Sequence, residues 1–545
     1  MIPYKIPFIA ALSAALLISC TKKQVIEKPE GAAIASLDSS GTHFGLTVNV
    51  ADYATSAQLA GTADATSAWQ AAVNAVAAAG GGLIISPSDA QWWFSGSVPG
   101  GNYRNMVLLS TDTSAPVHDI TFDGRGCKIF KTSKTGPYVI FLDRFGALGY
   151  GGGANRLVFK NFNVYGSFTD GAEASVNFFT GNHSSDITFK NITFNYTHLQ
   201  SSHSFELAGC DNILFEDCTW LGFKWDSTSA PRSEAINTDN SVVGTGAAVA
   251  GYADGLPCKN MTVNRCKFYP WRDPATNTQY PAGAVIGTHG SVEFGRPENI
   301  VINDLLVVDP PADNGATSAS VDNPYIRGLV HFPAVKGLTV RNMRVQSTNN
   351  QSSIRCITAQ SSSTGVLASS DPDNPVSGTY STPLLAEDID VEITATGMLG
   401  GTVETNNLVQ VVGVSGDHGA ARNVRIKISA NGVYKNAVYL RYVNDATVDV
   451  NLKNVDAVRF TSCNRVHLSG IMDQVRAPLV AHTCSQITVG PLTATHTTTQ
   501  SALLHIQNGT DYVTASNINA VGYTKLYSVT PAHHDESSVV GPSLP

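Results

Sequence analysis

Ionisable side chains recur in three short extended segments near the middle of the chain. These are His203-Ser-Phe-Glu206, Ser233-Glu234-Ala-Ile-Asn-Thr-Asp239 and Gly287-Thr-His289-Gly-Ser-Val-Glu293. A carboxylate or imidazole on the apolar side of a strand is costly unless it is paired, so such groups turn towards solvent or into a cleft. Carboxyl groups on either side of a scissile bond suit acid–base hydrolysis: one protonates the leaving oxygen and the other activates water. Glu234, Asp239 and Glu206 are the candidates for that work, with His289 and His203 holding substrate or tuning proton transfer. Elimination is the alternative chemistry. There a base removes the proton α to a uronate carboxylate while a cation neutralises the acid, and His203, His289, Arg327 and Arg272 are the residues suited to it. Ca²⁺ is the one cofactor such a lyase would take, and the hydrolase needs none. Surface binding without turnover is the third reading.

Position parity tempers the idea that all these charges meet. On a straight strand Ala235, Asn237 and Asp239 share one side and Glu234, Ile236 and Thr238 the other. Glu234 and Asp239 therefore converge only if one lies beyond a turn, and His203 and Glu206 differ in the same way. Stacking does better, because equivalent positions of adjacent parallel strands lie roughly 5 Å apart.

A repeat supplies that stacking. His118-Asp-Ile-Thr-Phe, Asn155-Arg-Leu-Val-Phe, Ser185-Asp-Ile-Thr-Phe, Asp211-Asn-Ile-Leu-Phe, Lys259-Asn-Met-Thr-Val, Glu298-Asn-Ile-Val-Ile and Lys336-Gly-Leu-Thr-Val are one phrase. It continues at Glu387-Asp-Ile-Asp-Val, Arg422-Asn-Val-Arg-Ile, Ala446-Thr-Val-Asp-Val, Asn464-Arg-Val-His-Leu and Ser485-Gln-Ile-Thr-Val. Its apolar–polar alternation is that of a strand with one buried face. Two residues beyond many copies stands a turn residue, Asn161, Asn191, Asp217, Asp304 or Asn342, of the types that tolerate left-handed backbone. Units this short cannot bury themselves singly, whereas stacked into a parallel solenoid they can. The expected fold is all-β, a parallel β-helix with three sheets. The segment from Thr66 to Ala79 reads as a helix, with Trp69, Ala72, Val73 and Val76 on one face and Gly80-Gly-Gly ending it. Laid over the open end of the solenoid, it would cover apolar core and unpaired strand edges.

The longest intervals between phrases are inserted loops, and loops on a solenoid commonly gather on the binding face. They hold Trp220, Phe223, Trp225 and Tyr252, then Tyr269, Trp271, Arg272 and Tyr280. Aromatic rings suit sugar faces, or else pin the loops to the solenoid. Trp225, Trp271, Arg272, Arg327 and Glu293 are the expected substrate-binding residues. The stretch Gln360 to Pro383 is Ser/Asp/Pro-rich and reads as loop.

Gly61-Thr-Ala-Asp-Ala-Thr-Ser-Ala-Trp-Gln-Ala-Ala, followed by Gly-Gly-Gly-Leu-Ile-Ile-Ser-Pro, resembles the opening of pectin-lyase-like right-handed parallel β-helix proteins, which implies a right-handed solenoid here. With the repeats, that resemblance covers roughly residues 45 to 535. It implies a carbohydrate-active or carbohydrate-binding protein but not one reaction. A more distant similarity is to polygalacturonase-type hydrolases. Ser233-Glu234-Ala-Ile-Asn looks like their Asp-Asp-containing motif, Gly287-Thr-His289-Gly like their Gly-His-Gly, and Tyr325-Ile-Arg327-Gly like their Arg-Ile-Lys. The departures are that the Asp-Asp pair is missing, Asn237-Thr-Asp239 falls in the wrong coil, and Arg425-Ile-Lys427 comes two coils late. The resemblance therefore concerns where a site sits.

Composition agrees with these elements. Of 545 residues only 14% are charged, and 48 are glycine, as in turn-rich β proteins. A net charge of −8 with no basic run argues against nucleic acid. An anionic polysaccharide would need a local basic patch, a neutral one would not. Lys5, the apolar run Ile6 to Ile18 and Leu17-Ile-Ser-Cys20 read as an export signal ending in a sequence that resembles a bacterial lipobox, with Cys20 as lipidation site. The expected organisation is a signal at 1–20, a tether at 21–45, one β-helix domain at 46–535 and a tail at 536–545. The protein is expected to be an exported, membrane-anchored monomer, periplasmic or on the cell surface, touching the membrane only through its lipid. Its remaining cysteines show no C-x-x-C pair, so no metal site is expected. They read as buried thiols stacked in adjacent strands, with disulfides between coils as the alternative.

Overall fold

In each coil the chain makes three strand segments that stack on the corresponding segments of the coils before and after. The computed structural model describes residues 45–94, 106–111, 114–131, 139–168, 175–199, 202–224, 234–242, 251–288, 295–311, 328–348, 355–361, 366–368, 377–379, 384–399, 407–415, 419–433, 436–530 and 539–540. Cys20 and the whole of 1–44 lie outside them, as do Trp225, His289, Glu293 and Arg327. Two long parallel sheets run through the described residues, one of 22 strands and one of 14.

The larger sheet is two arms folded along a line of turns. Ser185–Leu199 bends at Asn191, whose φ is 52°. Its first half pairs with Asp211–Glu216 and its second half with Thr219–Lys224. Left-handed residues recur there at Asn161, Asp217, Arg265, Asp304 and Asn342, and side chains link successive turns: Asn191 Nδ2 donates to Asn161 Oδ1 at 2.8 Å, and Asn342 to Asp304 at 2.7 Å. A second line of left-handed residues occupies position two of the phrase, including Asp119, Arg156, Asp186, Asn212, Asn260 and Asn299. With the second sheet this makes the expected three-sided parallel β-helix.

The phrases register as the alternation requires, Ile187 on Ile213, Ile213 on Met261 and Met261 on Ile300. One needs correcting. Asn444 pairs with Asn464 and Ala446 with Val466, so the copy begins at Asn444 rather than Ala446, and Asp445 takes the left-handed turn. Inside, Phe122, Phe159, Phe189 and Phe215 stack ring on ring at 4.4, 5.3 and 5.1 Å. Such offset stacks add to the burial of large apolar area.

The helix spans Thr66–Ala78 and buries Trp69, Ala72, Val73 and Val76, the expected face. Trp69 meets Trp92, Phe141 and Phe162 edge-on or tilted, at about 6 Å in each case. All eight cysteines in the described residues are buried and unbridged. They stack as expected: the Cys210 amide donates to Cys258 Sγ at 3.4 Å, and burial pushes the Cys210 thiol up. Two loop assignments change. Trp220 and Phe223 are core residues, with Trp220 stacked between Phe194 and Phe268. Within the polar stretch after Gln360, Val366–Ala368 pairs antiparallel with Ser377–Thr379.

Candidate functional site

The second sheet places the chemistry. Its strands Phe205–Ala208, Glu234–Asp239, Ala284–Gly287 and Val330–Phe332 are consecutive neighbours. Phe205, Ile236, Ile286 and Val330 form one inward row of the apolar core. The next row, Glu206, Asn237, Gly287 and His331, therefore faces away from the core, and Ala208 and Asp239 do likewise one step further on.

Glu234 begins its strand and is fully buried. Its carboxyl lies between two imidazoles, with Oε2 3.3 Å from His331 Nε2 and Oε1 3.9 Å from His203 Nδ1. Each ring has a carbonyl that fixes its tautomer. His203 Nδ1 donates to the Glu234 carbonyl at 2.7 Å, and His331 Nδ1 donates to the Gly328 carbonyl at 3.0 Å. The 3.3 Å approach of His331 Nε2 to the Glu234 carboxyl becomes an ion pair when the imidazole is protonated.

Gly287 is what lets His331 reach Glu234 across an intervening strand. A Cβ at position 287 would lie 2.6 Å from both Cε1 and Nε2 of His331. The ring lies over bare backbone, which only glycine offers. Beside this group, Asn237 Nδ2 donates to Asp239 Oδ2 at 3.0 Å, holding a carboxylate that is 2% exposed. Glu206 is half-buried next to Asn237 in register.

The structure thus unites Glu234 with His203 and sets Asp239 and Glu206 on the same outward face. Parity did not forbid this, because Glu234 stands at the strand's first position and its side chain meets the outward His331. His331 itself was missed by the sequence reading. One signal was available: Thr180, Glu206 and His331 each stand five residues before a phrase, at Ser185, Asp211 and Lys336. Trp271 and Arg272 lie elsewhere. Trp271 packs on Tyr196, Phe168 and Tyr280, while the Arg272 guanidinium donates to Asn277 and Gln279 within its own hairpin. Among the described residues neither touches Glu234 or its histidines, so the loop-pinning role fits both. His289, Arg327, Glu293 and Trp225 fall outside the described residues.

A second imidazole–carboxylate pair serves structure. His183 is buried, with Nε2 2.7 Å from Asp254 Oδ1 and Nδ1 donating to the Ala147 carbonyl. Burial would raise the Asp254 carboxyl, but His183 and the amides of Leu256 and Gly149 hold it below its ordinary value. Those contacts tie three segments together. Among the described residues no group of three or more His, Cys, Asp or Glu is arranged to hold a metal ion.

The fold and the outward-facing acid–imidazole group define a parallel β-helix with a candidate acid–base centre on its second sheet. The sequence matches no protein-family model and no curated protein. Solved structures that follow a similar course include an adhesin on the surface of Streptococcus pneumoniae, at 15% identity over 87% of this chain and 93% of that one, TM-score 0.44. An exopolygalacturonase from Thermotoga maritima matches at 11% identity over 82% of this chain and 91% of that one, TM-score 0.40. A tailspike protein of the E. coli bacteriophage HK620 matches at 11% over 88% and 78%, TM-score 0.43. These likenesses concern the course of the chain and carry nothing about its chemistry.

Proposed function

We propose that this chain is an exported polysaccharide-cleaving enzyme, a glycoside hydrolase whose general acid is Glu234 working with His331. The observation that carries the reading is the fully buried Glu234 carboxyl held 3.3 Å from His331 Nε2 on the outward face of the second sheet. Glu234 in its acid form gives its proton to the glycosidic oxygen as the bond to the anomeric carbon breaks. Water attacks that carbon from the other side and yields its proton to Asp239 or Glu206. His203, anchored on the Glu234 backbone, keeps the carboxyl in place. His289 and Arg327 complete the substrate contacts in this reading, and Cys20 carries the lipid that tethers the protein to a membrane.

The test is incubation of the purified protein with a panel of polysaccharides, measuring new reducing ends and the ultraviolet absorbance of unsaturated sugars. Reducing ends without absorbance, lost in Glu234→Gln, support the hydrolase. Absorbance shows elimination instead, a reading favoured by the two imidazoles at the site, either of which suits a base. Binding without turnover on every member of the panel would falsify both enzymes and leave a surface glycan binder. For the anchor, labelling with a fatty acid in a bacterial host is expected for the natural chain and absent in Cys20→Ser.

A further inference from the structure

The last coils of the second sheet bring a serine and a histidine together, far from Glu234. The strands Ala477–His482, Leu504–Gln507 and Tyr527–Thr530 are consecutive neighbours, and register sets Val480, His505 and Ser528 in one row. Leu504 and Ile506 belong to the core, so His505 between them faces outward, and Ser528 faces outward with it. Both side chains are half-buried. Counted through the register, His505 stands six strand steps beyond His331, roughly 29 Å at about 4.8 Å per step. The two groups are too far apart to act on one bond.

Ser528 Oγ lies 3.1 Å from His505 Nδ1. That is within the reach at which an imidazole takes the proton of an attacking hydroxyl. Only a neutral ring can take it. Burial lowers the His505 pKa, and the charges of Arg476 and Lys525 lower it further against the opposing Ala502 carbonyl. Among the described residues His505 is in no ion pair, while Arg476 is paired with the exposed Asp456 at 3.3 Å. The sheet edge supplies the third part. Tyr527–Thr530 ends the order of strands, with no strand beyond it among the described residues. The Leu504 amide donates to the Leu526 carbonyl. In a parallel ladder that turns the Ser528 amide towards Leu504, and the Tyr527 and Val529 amides towards the open edge. The amide after a nucleophilic serine is a common donor to the oxyanion, and here that residue is Val529.

We propose that Ser528 and His505 form a second hydrolytic centre, one that cleaves carboxylic esters. Ser528 Oγ attacks the acyl carbon while its proton passes to His505 Nδ1, and the Val529 amide meets the oxyanion. The bond from the acyl carbon to the alcohol oxygen then breaks. The alcohol leaves with the proton from His505, and the acyl group stays on Ser528. Water attacks that acyl carbon and gives a proton to His505, which returns it to Ser528 Oγ as the acid departs. One ester and one water become one acid and one alcohol. No carboxylate stands behind the imidazole as in a full triad, so the centre suits an ester, whose leaving group departs more easily than an amine.

The experiment treats the full chain with diisopropyl fluorophosphate, which traps activated serines, and maps the label by peptide mass spectrometry. Hydrolysis of p-nitrophenyl acetate and release of acetate from an acetylated xylan are followed in parallel. Ser528 is expected to carry the label, and His505→Gln to cut labelling by about tenfold or more. Ester hydrolysis is expected to fall about 10²-fold or more in Ser528→Ala and in His505→Gln, with unchanged circular dichroism spectra. The rate of the natural protein is expected to climb with pH, with its midpoint below the ordinary imidazole value. His482→Gln removes the imidazole that meets Asn508 one coil earlier, and is expected to leave the rate unchanged. Acetate released from the xylan marks a sugar ester as the substrate, and turnover of the aryl ester alone marks a simpler one. A label absent from Ser528, undiminished hydrolysis in Ser528→Ala, or an equal loss in His482→Gln overturns the proposal.

Discussion

The Glu234 carboxyl is buried between two imidazoles whose Nδ1 hydrogens are committed to carbonyls, and in the proposed chemistry it is the group that gives up a proton. Glu234→Gln keeps the shape and removes the acid, so turnover is expected to fall by about 10²- to 10⁴-fold, the usual contribution of general acid–base catalysis. A steady-state assay on whichever polysaccharide is cleaved reads this directly, and an undiminished rate excludes Glu234 as the acid. Gly287→Ala is the subtler change. Its methyl group meets both the His331 ring and the His331 carbonyl oxygen at 2.6 Å, so ring and strand must shift, and a loss of about 10²-fold in turnover together with a lowered melting temperature is expected. Of this group the sequence disclosed Glu234 and His203 through the rarity of charge in apolar strands. His331 escaped because Val330-His-Phe332 is a short strand with one polar residue, ordinary until register places Gly287 and Asn237 beside it.

At the scale of elements, the turn ladders are more informative than the strands. Asn191 sits at φ 52° and links to Asn161, so its type answers to backbone geometry and to a neighbour at once. Asn191→Gly is expected to be nearly neutral in thermal melts. Asn191→Val is expected to cost about 1–2 kcal/mol, because a β-branched residue is strained in the left-handed region. Equal melting of the two variants would count against the ladder. The capping helix answers to packing instead. Trp69→Ala removes a ring that touches Trp92, Phe141 and Phe162, a change expected to cost about 3–5 kcal/mol and to promote aggregation through the uncovered end. Apolar period and Gly80-Gly-Gly made that helix legible in advance. The ladder at phrase position two was not, because Asp119, Arg156 and Asn260 share a backbone conformation and no side-chain chemistry.

Across the whole molecule, stability is distributed along a stack in which each coil holds mainly its neighbours. The early coils bury the large rings, Trp69, Trp92, Phe122, Phe141, Phe159, Phe178 and Phe189, while the later core is built mostly of Val, Ile, Leu and Ala. Apolar area buried per coil is therefore greater at the amino-terminal side, at roughly 25 cal/mol per Å². The buried thiols report on this division without any mutation: Cys210, Cys218, Cys258 and Cys266 lie beside the aromatic stack, Cys463 and Cys484 in the aliphatic coils. Burial pushes the Cys210, Cys218 and Cys463 thiols up alike, so the order of labelling reports which coils open first. Brief labelling with a thiol reagent during a temperature ramp, followed by peptide mass spectrometry, is expected to modify Cys463 and Cys484 several degrees before Cys210 and Cys258. Simultaneous labelling of all four would mean that the solenoid opens as one cooperative unit, with the aromatic stack spreading its stability over every coil.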